Sequence, residues 1–196
     1  SYLMEDLTAL EITDITIMPY GLVPGMEYTF ELAQDETNDD PYDDLDQVWY
    51  MTTEIPEGSA RYVNEMLAST APDADLFVGM DTNGNGMPDA DEEVCASTTG
   101  SWNEYCNVDK PETGTWWVLV QNWGASDADM DSMTLATAIV PGTDSGNMTF
   151  DAPTSVPKLD PFDVTLKYDL ADIYVGQVWY GAFSTGSDPA NPGNVG

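Results

Sequence analysis

The sequence contains no histidine and very few basic residues, and both absences restrict what the chain can do. Without histidine, neither a Ser-His-Asp nor a Cys-His catalytic arrangement can be built, and imidazole zinc sites are excluded. Four Lys and Arg residues stand against 36 Asp and Glu residues, which gives a formal net charge of -32. A chain of this charge repels polyanions, so we expect no nucleic-acid partner. We also expect that the chain is not an enzyme by itself.

Long apolar runs are missing as well. The longest, Trp116 to Val120, is far too short to cross a bilayer, so we expect no membrane insertion. The chain starts at Ser1 and stops abruptly at Gly196, which we interpret as a piece of a larger precursor.

Cysteine occurs only twice, at Cys95 and Cys106, with a short polar segment between the two positions. This spacing predicts a disulfide across a hairpin-like loop, and therefore an oxidising, extracellular location. Two free buried thiols are the alternative.

Short segments rich in aromatic and β-branched residues recur along the chain, separated by Pro, Gly, Asn and Asp clusters. This pattern predicts an all-β protein, specifically an antiparallel β-sandwich. Residues 59–69 are an exception, because Tyr62, Val63, Met66 and Leu67 have the spacing of a short helix. The predicted strands are 7–18 (as one strand or two), 26–33, 47–54, 73–79, 114–123, 131–140, 146–152, 162–170 and 174–184.

The segment 140–146 has the composition of a linker, and we place a domain boundary there. The predicted domains are residues 1–141 and residues 142–196. The smaller domain holds only three or four predicted strands, fewer than a closed sandwich usually needs. Either it is cut short, or residues 1–44 add strands to it, or another chain completes it along an open sheet edge.

One acidic loop has the spacing of a calcium site. From Asp81, the sequence satisfies the twelve-residue pattern D-x-N-x-N-G-x5-E. Alternate side chains would point inward, while Gly86 permits the sharp turn. A hydrated Asn-Gly turn is the alternative interpretation. The predicted ligands are Asp81, Asn83, Asn85, the carbonyl of Met87, Asp89 and, as a bidentate carboxylate, Glu92.

Two other acidic groups could form additional metal sites, although solvated charge is an alternative for each. The first is Asp73 with Asp75, and the second is the run Asp127, Asp129 and Asp131.

Several motifs together resemble the pre-peptidase C-terminal domain of secreted bacterial proteases, in particular subtilisin-like serine proteases. They are "PEG" at 56–58, "DADLFV" at 73–78, the loop from Asp81, the two cysteines, and "GTWWVLVQNW" at 114–123. The resemblance covers about residues 45–141. The tail from "FDVTLKYDL" onward is similar to the fibronectin-like or immunoglobulin-like module that often follows, and it stops where a final strand would be expected.

The resemblance implies a jelly-roll-like, calcium-binding sandwich followed by a smaller fibronectin/immunoglobulin-like sandwich. It also implies that residues 59–69 form a strand. The function it implies is that of a noncatalytic accessory domain, which assists secretion or maturation of its parent protease domain or binds insoluble protein or polysaccharide. The alternative is a structural or adhesive surface module that self-associates through an open sheet edge.

Aromatic side chains are the candidates for a binding surface. Trp116 and Trp117 are adjacent and must point to opposite faces of their strand, so one would lie in the core and the other would be free to face solvent. Core packing is the alternative interpretation for most of these rings. Trp123 is a further candidate. An exposed row of such rings would favour binding to a polymer.

Overall fold

The computed structural model describes residues 1–187 and residue 190, and this part of the chain contains strands but no α-helix. The predicted all-β fold with antiparallel sheets packed together is confirmed. One 3-10 turn, Ala90–Glu92, interrupts the strand order. The strands are β1 Tyr2–Leu7, β2 Thr16–Pro24, β3 Met26–Leu32, β4 Trp49–Ile55, β5 Arg61–Ser69, β6 Asp73–Met80, β7 Glu93–Ser97, β8 Tyr105–Asp109, β9 Gly114–Gly124, β10 Asp131–Val140, β11 Met148–Asp151, β12 Phe162–Tyr168 and β13 Trp179–Gly186.

The chain divides into two compact units. One consists of Pro24–Ile139, and the other joins Ser1–Val23 to the described residues from Val140 onward. The sequence left residues 1–44 open between two domains; residues 1–23 lie with the C-terminal part, and residues 24–44 lie in the larger unit.

The larger unit is a sandwich of two four-stranded sheets, with strand orders β3-β10-β5-β8 and β4-β9-β6-β7. Alternate residues of β9 point to opposite faces of the second sheet. Trp116, Val118 and Val120 enter the core between the sheets, where they meet Tyr62 and Leu135 of the first sheet. Burial of this apolar surface is what holds the two sheets together.

The opposite face of β9 is buried too. Trp117 and Leu119 lie there with Phe77 of β6, covered by Tyr42 and Val48 from the segment that precedes β4. The run "GTWWVLVQNW" is therefore apolar at consecutive positions because its strand is covered on both faces.

Residues 61–69 form strand β5, as the family resemblance implies, and not the helix that their apolar spacing predicts. Tyr62 and Met66 face the core between the sheets, while Val63 is buried on the other side of the strand. Pairing with β8 from Arg61 to Glu65 fixes the extended backbone. Burial on both faces removes the simple alternation by which a strand is usually recognised.

The predicted disulfide is confirmed. Cys95 on β7 and Cys106 on β8 are bonded, with their Cα atoms 6.0 Å apart. β7 and β8 belong to different sheets of the sandwich, so the disulfide links the two sheets directly.

The smaller unit contains the sheet β1-β12-β11 and the pair β13-β2. Asn147 connects the two, because its side chain accepts from the Leu22 N–H and donates to the Leu22 carbonyl, both at 2.8 Å. The rings of Phe150 and Phe183 pack 4.8 Å apart, and Met148, Val156, Val164 and Ala182 are buried.

Candidate metal centre

The predicted calcium loop connects β6 to β7, and the Asp81 N–H anchors its start to the Thr115 carbonyl of β9 at 3.0 Å. The Asp81 carboxylate then organises the turn. It accepts hydrogen bonds from the backbone N–H groups of Gly84, Asn85 and Gly86 at 2.8, 3.1 and 2.9 Å. Gly84 and Gly86 have φ angles of 72° and 73°, which glycine adopts without steric cost.

Each asparagine of the loop closes a local turn of its own. The Asn83 side-chain oxygen accepts from the Asn85 N–H at 2.9 Å, and the Asn85 oxygen accepts from the Met87 N–H at 2.7 Å. Asp89 then caps the 3-10 turn by accepting from the Asp91 N–H at 3.1 Å. The alternating pattern D-x-N-x-N thus produces a chain of side-chain-to-backbone turns.

Glu92 ties the end of the loop back to its beginning. Its Oε1 accepts from the Thr82 N–H at 2.8 Å, the Thr82 hydroxyl at 3.0 Å and the Asn83 N–H at 3.0 Å. Its Oε2 accepts from the Trp117 indole at 3.2 Å. The side chain is only 6% exposed. Four protein donors therefore surround the carboxylate for which the sequence predicts bidentate metal ligation.

Gly79 allows this arrangement. A Cβ at Gly79 would lie 2.1 Å from the Trp117 ring and 2.5 Å from the Glu92 carbonyl, closer than any side chain tolerates. Only glycine lets the indole cross β6 closely enough to reach Glu92. Gly79, Thr82 and Trp117 were not recognised as part of the loop from the sequence, because they lie outside the calcium-loop pattern or are not among its ligand positions.

The loop retains oxygen lone pairs that could hold a hard cation. A carboxylate offers about four acceptor positions and an amide oxygen about two. Asp81 uses three in accepting backbone N–H groups, and Asn83 and Asn85 each use one. Asp89 accepts one through its side chain. These four side chains therefore keep unused acceptor positions, whereas Glu92 Oε1 already accepts three hydrogen bonds. Among residues 1–187 and 190, no group of three or more His, Cys, Asp or Glu side chains is arranged to hold a metal.

The members of the predicted acidic group Asp127, Asp129 and Asp131 lie in different surroundings. Asp127 and Asp129 are exposed, whereas Asp131 is fully buried. The Asp131 carboxylate accepts from the Thr70 hydroxyl at 2.8 Å, the Asn122 amide at 3.1 Å and the Ser126 N–H at 3.0 Å. Burial would raise the pKa of Asp131, but these hydrogen bonds outweigh it and lower the pKa below its usual value. Asp131 therefore has a structural role.

Asp73 and Asp75, the remaining predicted metal residues, lie at the start of β6. Burial, followed by the nearby Asp73 and Glu104 charges, raises the pKa of Asp75 to about 7. Burial also raises the pKa of Asp73.

The tryptophans differ from the expected surface row. Trp116 and Trp117 are 3% and 0% exposed, so both rings belong to the interior and neither can meet a polymer. This corrects the expectation that one of the pair is exposed; the physical reason is that β9 is covered on both faces. Trp123, near the end of β9, is 41% exposed.

No protein-family model matches the chain, and no curated protein sequence matches it either. The resemblance to pre-peptidase C-terminal domains therefore depends on the residue motifs alone. Among the described residues, no helix has the length and apolar character needed to cross a membrane.

We predict that Glu92→Gln destabilises the protein by about 2–3 kcal/mol with or without calcium, because one acceptor becomes a donor. Whichever way the amide turns, its NH2 group meets either the Thr82 and Asn83 donors or the Trp117 indole. Denaturant unfolding at pH 7 in EDTA measures the change. Asp91→Asn, at an exposed position of the same loop, is the matched control. Equal stability of Glu92→Gln and wild type would contradict this role.

We predict that Asp131→Asn weakens the acid sensitivity of folding. The folded-state pKa of Asp131 is lowered, so its ionised form stabilises the fold above the unfolded-state pKa of about 4, and this contribution disappears as the pH falls. Wild type should lose more stability than Asp131→Asn between pH 6 and pH 3 in urea titrations. Asp129→Asn, exposed in the same run, should follow wild type. Parallel curves for Asp131→Asn and wild type would disprove the assignment.

Proposed function

We propose that the chain is a noncatalytic, calcium-stabilised accessory domain of a secreted protease. The observation that supports this best is the loop from Asp81 to Glu92. It is folded by its own carboxylates and amides, keeps acceptor capacity on four side chains, and is fastened to the core through Trp117.

Calcium binding would stabilise the folded state of the chain. A cation that binds both Asp81 and Asp89 would stabilise the folded loop, since the two residues flank the Asn-Gly turns in the sequence. Oxygen-only ligands suit calcium, and no side chain of the loop offers imidazole or thiolate. Extracellular calcium is abundant enough to fill even a weak site of this kind.

An extracellular location is supported by the Cys95–Cys106 disulfide, because such bonds persist in oxidising compartments. The sandwich with this loop and disulfide suits a module attached to an enzyme rather than an enzyme, since the sequence lacks histidine for a serine- or cysteine-protease site. The role would be to assist secretion or maturation, or to hold the protease on insoluble protein or polysaccharide. Trp123 is the ring of the predicted set that is exposed enough for such contact.

Calcium in the millimolar range is expected to raise the melting temperature of the isolated chain by about 5–10 °C. This follows because a ligand at a hundred times its Kd adds about 2.7 kcal/mol. Asp81→Asn combined with Asp89→Ala should abolish the part of the shift that belongs to the loop, while Asp91→Asn should retain it. Calorimetry with calcium and with EDTA measures both. A melt that calcium leaves unchanged would rule out calcium stabilisation.

The association with a protease has its own test. The gene that encodes this chain should also encode a subtilisin-like serine protease domain upstream of it. Sequencing the complete reading frame decides the matter, and a frame without any protease domain would refute the accessory role while leaving the calcium proposal intact.

A further inference from the structure

A recess in the larger unit, away from the Asp81–Glu92 loop, collects acidic and amide side chains. It encloses about 480 Å³ between the start of β6, the end of β9 and the loops at residues 38–41 and 98–100. Asp39, Asp73, Asp75 and Gln121 line it, and no Lys or Arg is among the described residues of its wall. Gln121 is the side chain that distinguishes this recess from an ordinary acidic surface.

Gln121 is 1% exposed, and its amide orientation is determined by its neighbours. The Nε2 group donates to Asp35 Oδ2 at 2.6 Å and, more weakly, to the Asn38 carbonyl at 3.4 Å. Because both partners only accept hydrogen bonds, the nitrogen must face them and the oxygen must face away. The Gln121 Oε1 atom is buried there without any hydrogen-bond partner.

Gln121 lines the same recess as the two carboxylates. Gln121 is paired directly with Asp75 across the β6–β9 ladder, so both side chains emerge on the same face of the sheet. Asp73 Oδ1 is a second buried oxygen without a hydrogen-bond partner. Three oxygen-bearing side chains with unmet acceptor capacity therefore meet at one recess.

The carboxylates of the recess lie close to further negative charge in a largely buried setting. Asp75 is 8% exposed, and the Asp73 and Glu104 carboxylates lie near it. Glu104 is fully buried nearby, but Ser97 and Thr99 already donate hydrogen bonds to its carboxylate. A bound cation would offset the cost of burying Asp73 and Asp75 together.

We propose that this recess binds a divalent hard cation, with calcium as the expected ion, through Asp73, Asp75 and Gln121 Oε1. Carboxylate and amide oxygens are ligands that calcium favours, and the lining offers neither imidazole nor thiolate. The site is separate from the Asp81–Glu92 loop. Since Gln121 also holds Asp35 and Asn38, the ion would stiffen the attachment of the segment before β4 to the sheet.

The test measures calcium uptake by the whole chain with isothermal titration calorimetry. In the Asp81→Asn/Asp89→Ala background, which removes the loop ligands, one calcium per chain should still bind. Adding Asp75→Asn should weaken this binding at least about tenfold, as expected when a direct charged ligand is lost. Asp14→Asn, an exposed position that removes the same charge, is the matched control and should leave the affinity unchanged.

A second measurement, the melting temperature, distinguishes a lost calcium site from a misfolded variant. In EDTA, Asp75→Asn should melt at a higher temperature than wild type, because a neutral amide of the same shape replaces a buried charge. Added calcium should raise the melting temperature of Asp75→Asn less than that of wild type. Asp73→Asn should likewise raise the melting temperature in EDTA and reduce the increase that calcium causes. The proposal is overturned if the loop variant takes up no calcium, or if Asp75→Asn and Asp73→Asn bind it as wild type does. Uptake that depends on Asp75 but not on Asp81 would support this site even if the loop binds nothing.

Discussion

Carboxylates outnumber basic side chains by 36 to 4 in this chain, so its buried acids must be stabilised by neutral donors. Glu92, Glu104 and Asp131 are almost completely buried, and backbone N–H groups, hydroxyls, amides and an indole donate to them. Asp35 is 2% exposed and is held in the same way by Thr37 and Gln121. Hydrogen bonds to an ionised acceptor are stronger than neutral ones, so these contacts offset much of the cost of burial.

Strand β9 is the element on which most of these contacts converge. Its apolar residues fill the interior on both faces of the sheet, and its polar ones fix the surrounding loops. Gln121 holds the segment before β4, whereas Asn122, on the opposite face, donates to the Leu32 carbonyl and to Asp131. Trp117 reaches Glu92 from the same strand. A single strand thus provides the core and also orients the acidic loops around it.

How far the sequence predicts this structure depends on the kind of residue. Aromatic and β-branched segments such as 114–123 and 131–140 predict their strands closely, because apolar burial determines them. β7 and β8 were not predicted, since "EVCAS" and "YCNVD" are polar strands marked only by their cysteines. The first predicted segment, 7–18, contains the end of β1 and the start of β2 with an irregular stretch between them.

The candidate site was predictable in its spacing but not in its partners. The calcium-loop pattern predicts the turns at Asp81, Asn83 and Asn85, because side-chain-to-backbone bonds at these positions are local. Glu92 depends on Trp117, 25 residues away, and Gln121 on Asp35, 86 residues away, and no local pattern encodes such contacts. The available signal was the polar pair Gln121–Asn122 inside an apolar strand, because a strand that is covered on both faces buries these side chains and they then need partners.

The two proposed cation sites share a physical origin in strand β6. This strand is buried along most of its length, begins at Asp73 and Asp75, and passes directly into the loop that starts at Asp81. Its apolar centre can therefore lie between β7 and β9 only if the negative charges at both ends of the strand are stabilised. At the loop, neutral donors accomplish much of this. At the recess, Asp73 Oδ1 and Gln121 Oε1 remain without hydrogen-bond donors, so electrostatic stabilisation by a cation would contribute more there than at the loop.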